Sequence, residues 1–241
     1  MILDELRREL RRVCADGGLG DEPVSVSARA LSPEQAIGRP GQDDYPIVKG
    51  RERMVEAELR GARGQAFTDS PGGFDGTLDE VLRLPLDDNV RRAVFLSVAN
   101  ATARHLGLAE RTAHCKDADL LECASRLPEF VAAGHPGVKR VFLVGLQPRF
   151  AEALAARYEV RITDMDAGNV GALKGGVRVE PADAAADCLR WCDLGLATGS
   201  TMANGTADRL LASGKPVVFY GVSCAAAAAL VGLARYCPLG R

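Results

Sequence analysis

The chain has 241 residues, a formal net charge of −2 and 47% hydrophobic content, enough for a substantial core in one large or two small domains. Near-neutral charge with scattered arginines excludes nucleic acid and an anionic membrane as obligatory partners. An aromatic content of 5% argues against base stacking on a sheet.

The N-terminal Met-Ile-Leu-Asp-Glu-Leu-Arg-Arg is charged at once and has no apolar leader, so residues 2–15 read as an amphipathic helix instead. Ile2, Leu3, Leu6, Leu10, Val13 and Cys14 form its apolar stripe, and Gly17-Gly18 ends it. Val24, Val26 and Ala28 alternate with serines, as in a half-buried strand. Residues 37–50 are turn-rich, and 54–59 and 65–68 suit short strands. Thr77 or Asp75 is placed to cap a short helix carrying Leu78, Val81 and Leu82. Asp87 or Asp88 caps a longer one to His105, with Ala93, Leu96, Ala99, Ala103 and Leu106 inward. This half is α+β, its sheet antiparallel.

After about residue 115 helices and strands alternate. Helices are expected at 120–133, 149–158, 183–192, 206–213 and 223–234. Strands are expected at 141–145, 160–163, 177–179, 194–197 and 216–220. That rhythm predicts a Rossmann-like parallel sheet. The longest apolar stretch, 225–234, is too short to cross a bilayer. The expectation is a cytoplasmic protein, in which seven cysteines are buried hydrophobes, reactive thiols or metal ligands rather than a disulfide framework.

Four constellations carry chemistry. In parallel sheets ligands bind beyond the carboxyl ends of the strands, and Thr198, Gly199, Ser200, Thr201, Asn204, Gly205 and Thr206 leave such an end with hydroxyls, an amide and two glycines. Free N–H groups at the next helix would favour an anion there. Asp164 follows Gly145 at the spacing of a ribose-binding acid, but Gly145-Leu146-Gln147-Pro148-Arg149-Phe150 is not the G-x-G-x-x-G fingerprint, so NAD is not expected. His114 and Cys115, with Cys123 further on, offer soft donors for a transition metal, although their spacing is not that of a zinc motif. Cys188 and Cys192 share a helix face and read as core. Ser223 and Cys224 follow the last strand, where a helix N-terminus would lower the pKa of the thiol.

The run Ala197-Thr198-Gly199-Ser200-Thr201-Met202-Ala203-Asn204-Gly205-Thr206, followed by a Leu-Leu helix and Pro216-Val217-Val218-Phe219-Tyr220-Gly221, resembles the DUF364 family of heavy-metal chelatases. That resemblance implies an enolase N-terminal-like domain (DUF4213) over residues 1–115 and a Rossmann-like domain over 116–241. It implies a ligand site in the cleft between them and a homodimer. Thr198, Gly199, Ser200, Thr201 and Asn204 would carry over to that cleft, with Asn100 in the partner domain. The loop after Gly221 departs from the family pattern in reading Val-Ser-Cys. The combined expectation is a heavy-metal-chelation protein binding a small anionic or metal-chelating ligand. The alternatives are an enzyme acting on a nucleotide or phosphorylated metabolite and a ligand-sensing module without turnover.

Overall fold

The computed structural model describes residues 1–19 and 25–241. The N-terminal part comprises α1 (Ile2–Asp16), β1 (Ser25–Leu31), α2 (Pro33–Ile37), α3 (Pro46–Lys49), β2 (Arg53–Leu59), β3 (Ala62–Thr68), β4 (Phe74–Thr77), α4 (Leu78–Arg83) and α5 (Asn89–His105). Then follow α6 (Asp119–Gly134), β5 (Arg140–Val144), α7 (Pro148–Ala155), β6 (Glu159–Asp164), β7 (Leu173–Lys174), β8 (Val177–Pro181), α8 (Ala185–Trp191) and β9 (Leu194–Thr198). The chain continues through α9 (Ser200–Ala203), α10 (Ala207–Leu211), β10 (Val217–Tyr220), α11 (Ala225–Val231) and β11 (Arg235–Tyr236).

The first four strands form an antiparallel sheet ordered β3-β2-β1-β4. Val24, expected to open β1, lies outside the described residues. Both expected caps are present. Thr77 forms a capping box with Glu80, and Asp88 accepts the Arg91 amide. In α5 every residue from Ala93 to Ala103 is buried, whereas the sequence suggests one buried face. The helix is covered on both sides, by the antiparallel sheet and by α9 and α11.

Its fit against β3 depends on Gly64. A Cβ there would lie 2.2 Å from the Ala101 nitrogen and 2.3 Å from the Ser97 carbonyl oxygen. Helix and strand backbones meet directly at this point, which only glycine permits.

The second sheet is ordered β11-β10-β9-β5-β6-β8-β7. Its first six strands are parallel, and β7 closes the edge antiparallel to β8. The expected parallel sheet thus carries one antiparallel edge strand, where Gly175-Gly176 joins two short strands too closely for a crossover helix. Counting the parallel strands in chain order, the arrangement is 3-2-1-4-5-6, that of dinucleotide-binding folds. The order reverses between β5 and β9.

Side chains alternate across this sheet. Val141, Leu143, Leu196 and Val218 pack under α6 and α7 with Leu127, Val131 and Leu154. On the other face Phe142, Ala197 and Phe219 join Leu6, Leu10, Val55, Phe95, Met202 and Ala226 in a single cluster. The apolar core thus runs unbroken from one sheet to the other.

Candidate functional site

A cavity of about 660 Å³ opens at the carboxyl ends of β5 and β9, where the strand order reverses and such folds bind ligands. Its floor is Gly145, Leu146 and Thr198, with Tyr220 beside them. The opposite wall is Tyr45, Ile47, Glu52 and Phe67 from the N-terminal half. His114, Cys115, Cys123 and Cys237 close a third side.

Loop 198–206 reaches this cavity with Thr198, Ser200, Thr201, Asn204 and Thr206. Its polar groups largely satisfy one another. Thr198 Oγ1 and Ser200 Oγ are 3.1 Å apart, and Thr201 Oγ1 donates to the Thr198 carbonyl. Asn204 Oδ1 accepts both the amide and the hydroxyl of Thr206. The Gly199 amide donates to the Tyr220 carbonyl, and the Thr206 amide also donates to the Thr201 carbonyl. The loop also contains α9, a single helical turn of 4 residues. It therefore offers side-chain hydroxyls rather than the cradle of free amides that an anion needs.

Asp164 also lines the cavity. One carboxylate oxygen accepts the Leu146 amide at 2.6 Å and the other the Asp166 amide at 2.7 Å. It fastens the β5–α7 turn to the end of β6, at the position where a ribose would otherwise be read.

Four candidates do not line the cavity: Asn100, Gly199, Ser223 and Cys224. Asn100 is wholly buried. Its Nδ2 donates to the carbonyls of Gln65 and Val222, and its Oδ1 accepts the Ala226 amide. Ser223 Oγ accepts the Phe67 amide at 2.8 Å. Gly199 lets its loop lie against Ser223 and Cys224. Asn100 and Ser223 thus tie the two halves together. Cys224 is fully enclosed, and burial pushes its thiol up to about 12. Desolvation overrides the expected lowering at a helix N-terminus.

His114 is positioned from β3. The buried Gln65 accepts the His114 amide through Oε1 at 2.7 Å and donates to Glu56 through Nε2. The Phe67 ring stands edge-on to the imidazole at 5.3 Å. Nδ1 lies 2.6 Å from the Cys115 carbonyl and 3.8 Å from Cys115 Sγ. A hydrogen on Nδ1 satisfies that carbonyl and leaves Nε2 as the basic nitrogen. Burial alone would lower the pKa of His114. Hydrogen bonds to Cys115 and the charges of Cys115 and Glu52 outweigh it and raise the pKa. The Cys115 thiol is pulled down, first by a hydrogen bond from the Cys123 thiol and then by His114, against its own burial.

Sequence reasoning missed three polar groups around the cavity. Glu52 makes no side-chain hydrogen bond or ion pair among the described residues. Burial, with Asp164 nearby, pushes its carboxyl up to about 7. Its residual exposed surface faces the cavity it lines. Tyr45 is 3% exposed and its hydroxyl has no partner among the described residues. Tyr220 Oη donates to the Gly145 carbonyl at 2.9 Å across the cavity floor. Residues 38–50, which carry Tyr45, are anchored by Asp44. Its carboxylate lies 2.8 Å from both Arg149 on α7 and Lys174 on β7.

Among the described residues no three His, Cys, Asp or Glu side chains are grouped to hold a metal ion. His114 and Cys115 do not complete a donor set, and Cys224 stands apart from them. The metal expected at His114, Cys115 or Cys224 thus has no grouped set of three such donors among the described residues. Adjacent residues diverge, and the His114 nitrogen nearest Cys115 faces a carbonyl instead.

Residues 132–233, which include loop 198–206, match the model of the DUF364 family, whose description reads "Putative heavy-metal chelation". A DUF364 protein of unknown function from Pyrococcus horikoshii is similar in structure, with a TM-score of 0.54 at 16% identity over 92% of this chain and 80% of its own. A second, from Desulfitobacterium hafniense DCB-2, has a TM-score of 0.50 at 18% identity over 74% of this chain and 72% of its own. At such identities the likeness is one of fold. No curated protein matches.

Proposed function

We propose that the protein binds a small amphipathic molecule in the cavity between its two sheets. The observation that carries this reading is a set of groups around the cavity with no hydrogen-bond partner among the described residues: the buried Tyr45 hydroxyl, with the half-buried Glu52 carboxyl and His114 Nε2. Buried polar groups are normally paired, so these three describe the polar part of a ligand. Ile47, Phe67, Leu146 and Phe150 describe its apolar part. A volume of about 660 Å³ is in the range of small-molecule sites.

Glu52, Asp164 and Asp166 on the wall favour a ligand with an amine or other donor over a phosphate. Heavy-metal chelation then belongs to the bound complex, with the metal's donors supplied by the small molecule. We further propose, from composition, a cytoplasmic protein and, from the resemblance, a homodimer divided at residues 115 and 116, with a DUF4213-like first domain. The division is supported by each sheet being built wholly from one side of it.

Native mass spectrometry of gently purified protein tests the binding, together with thermal shifts against metal ions, amine-bearing chelators and their complexes. The expected result is stabilisation by a chelator or its complex, weakened at least tenfold in affinity by Glu52→Gln and by His114→Ala. A mass equal to the bare chain and no shift with any of these probes would overturn the reading.

A further inference from the structure

We infer that Cys115, paired with His114, is a nucleophile of this cavity and forms a covalent bond with a small molecule carrying an electrophilic carbon and a leaving group. The inference rests on the reading above in using the same cavity, but its test needs no identified ligand. Three observations support it.

First, Cys115 is on the wall of the cavity and 5% exposed, so small molecules reach it only from there. Second, its sulfur is 3.8 Å from His114 Nδ1, and Cys123 lines the same cavity. A cation beside a thiol favours the thiolate. Third, the other six cysteines lack this environment. Cys14, Cys123, Cys188, Cys192, Cys224 and Cys237 are all shifted upward, toward the unreactive thiol.

The charged and titratable groups facing Cys115 come from several segments. His114 is on its own loop, Asp119 and Cys123 are on α6, Cys237 is on the C-terminal segment and Tyr45 is on the opposite wall. Asp119 opposes the thiolate, while Cys123 and His114 favour it. In the step itself Cys115 Sγ forms the carbon–sulfur bond as the leaving group departs with its electron pair. The attacking form is the thiolate, so no proton is transferred in this step. His114 Nε2 has no hydrogen-bond partner among the described residues, and His114 lines the same cavity.

Iodoacetamide is the probe, with iodide as leaving group, applied to the intact protein and read by peptide mass spectrometry. The expected result is one adduct, on Cys115, forming at a rate that changes less than threefold between pH 6 and pH 8.5. An ordinary thiol loses roughly 100-fold over that interval. His114→Ala is expected to slow labelling at pH 6 at least tenfold and to leave the rate at pH 9 within threefold. Unfolding of that variant would show as labelling of Cys14 and Cys188. The wild-type profile and Cys123→Ala, expected to steepen it, then decide. First labelling of another cysteine, an ordinary pH profile for Cys115, or no effect of either variant would overturn the inference. Failure of all ligands to bind, with Cys115 still reactive, would overturn only the reading of the preceding subsection.

Discussion

Asn100 Oδ1 accepts the backbone amide of Ala226 at 2.7 Å, inside the core and across 126 positions of sequence. The same side chain donates to the carbonyls of Gln65 and Val222, so one amide group serves three segments. Asn100→Ala leaves those backbone groups buried and unpaired. The expected cost is about 3 kcal/mol, measured by urea denaturation. Labelling of Cys115 in the folded fraction should persist, since Asn100 is not on the cavity wall.

Gly64→Ala should be worse for so small a change. The added carbon would meet the backbone of α5 at 2.2 and 2.3 Å, and a helix backbone cannot turn aside as a side chain can. A loss of more than about 3 kcal/mol is expected from overpacking. Calorimetry on Gly64→Ala, with Gly18→Ala as control, checks it. Gly18 has a positive φ but nothing within 4 Å, so its variant isolates backbone strain from collision.

Glu52 gives the stability curve a specific sign. Its folded pKa is about 7, raised from 4.5. The protonated form is thus favoured by folding, fully so below pH 4.5, and that advantage is lost as pH rises through 7. Glu52→Gln, which stays neutral, should be more stable than wild type at pH 8 by about 2 kcal/mol, allowing for solvent that reaches the cavity. The difference should vanish below about pH 4.5. Parallel denaturation curves from pH 4 to pH 8.5 measure it. A constant difference would show that Glu52 does not titrate in that window.

Asp44 works in the opposite direction. Burial would raise its pKa, but Lys174 and Arg149 outweigh burial and lower it. Its contribution is present above the unfolded carboxylate range and is lost as pH falls through the lower folded value. Asp44→Asn should cost about 1–2 kcal/mol at neutral pH and progressively less as pH falls below the ordinary carboxylate range. Hydrogen exchange should be faster in residues 38–50 of the variant, because this ion pair fixes them to α7 and β7.

Much of the fold was legible because its signals are local. Alternating apolar strands and helices mark the parallel sheet, and Thr77 and Asp88 cap within their own turns. The short strands β4, β7 and β11 were not legible, since their pairing partners are far along the chain or set by edge geometry. Loop 198–206 was correctly placed at the rim of the sheet. Its hydrogen bonds were not foreseeable, because a polar sequence does not say whether its groups face a ligand or one another. Asn100 and Ser223 illustrate the same ambiguity. Glu52 and Tyr45 stood in or beside a turn-rich stretch with no motif. They gain meaning only when that stretch is folded over the ends of β5 and β9.

The unbroken core also bears on cooperativity. Leu6, Leu10 and Phe95 of the first half are solvated by the same cluster as Phe142, Ala197 and Phe219 of the second. A cut at residue 115 would bare matching apolar faces on both pieces, which neither could hide alone. Heating the whole chain should therefore melt both sheets in one transition, with no plateau between them. Occupancy of the cavity would then be felt by every element at once, so that residues remote from any ligand gain protection together.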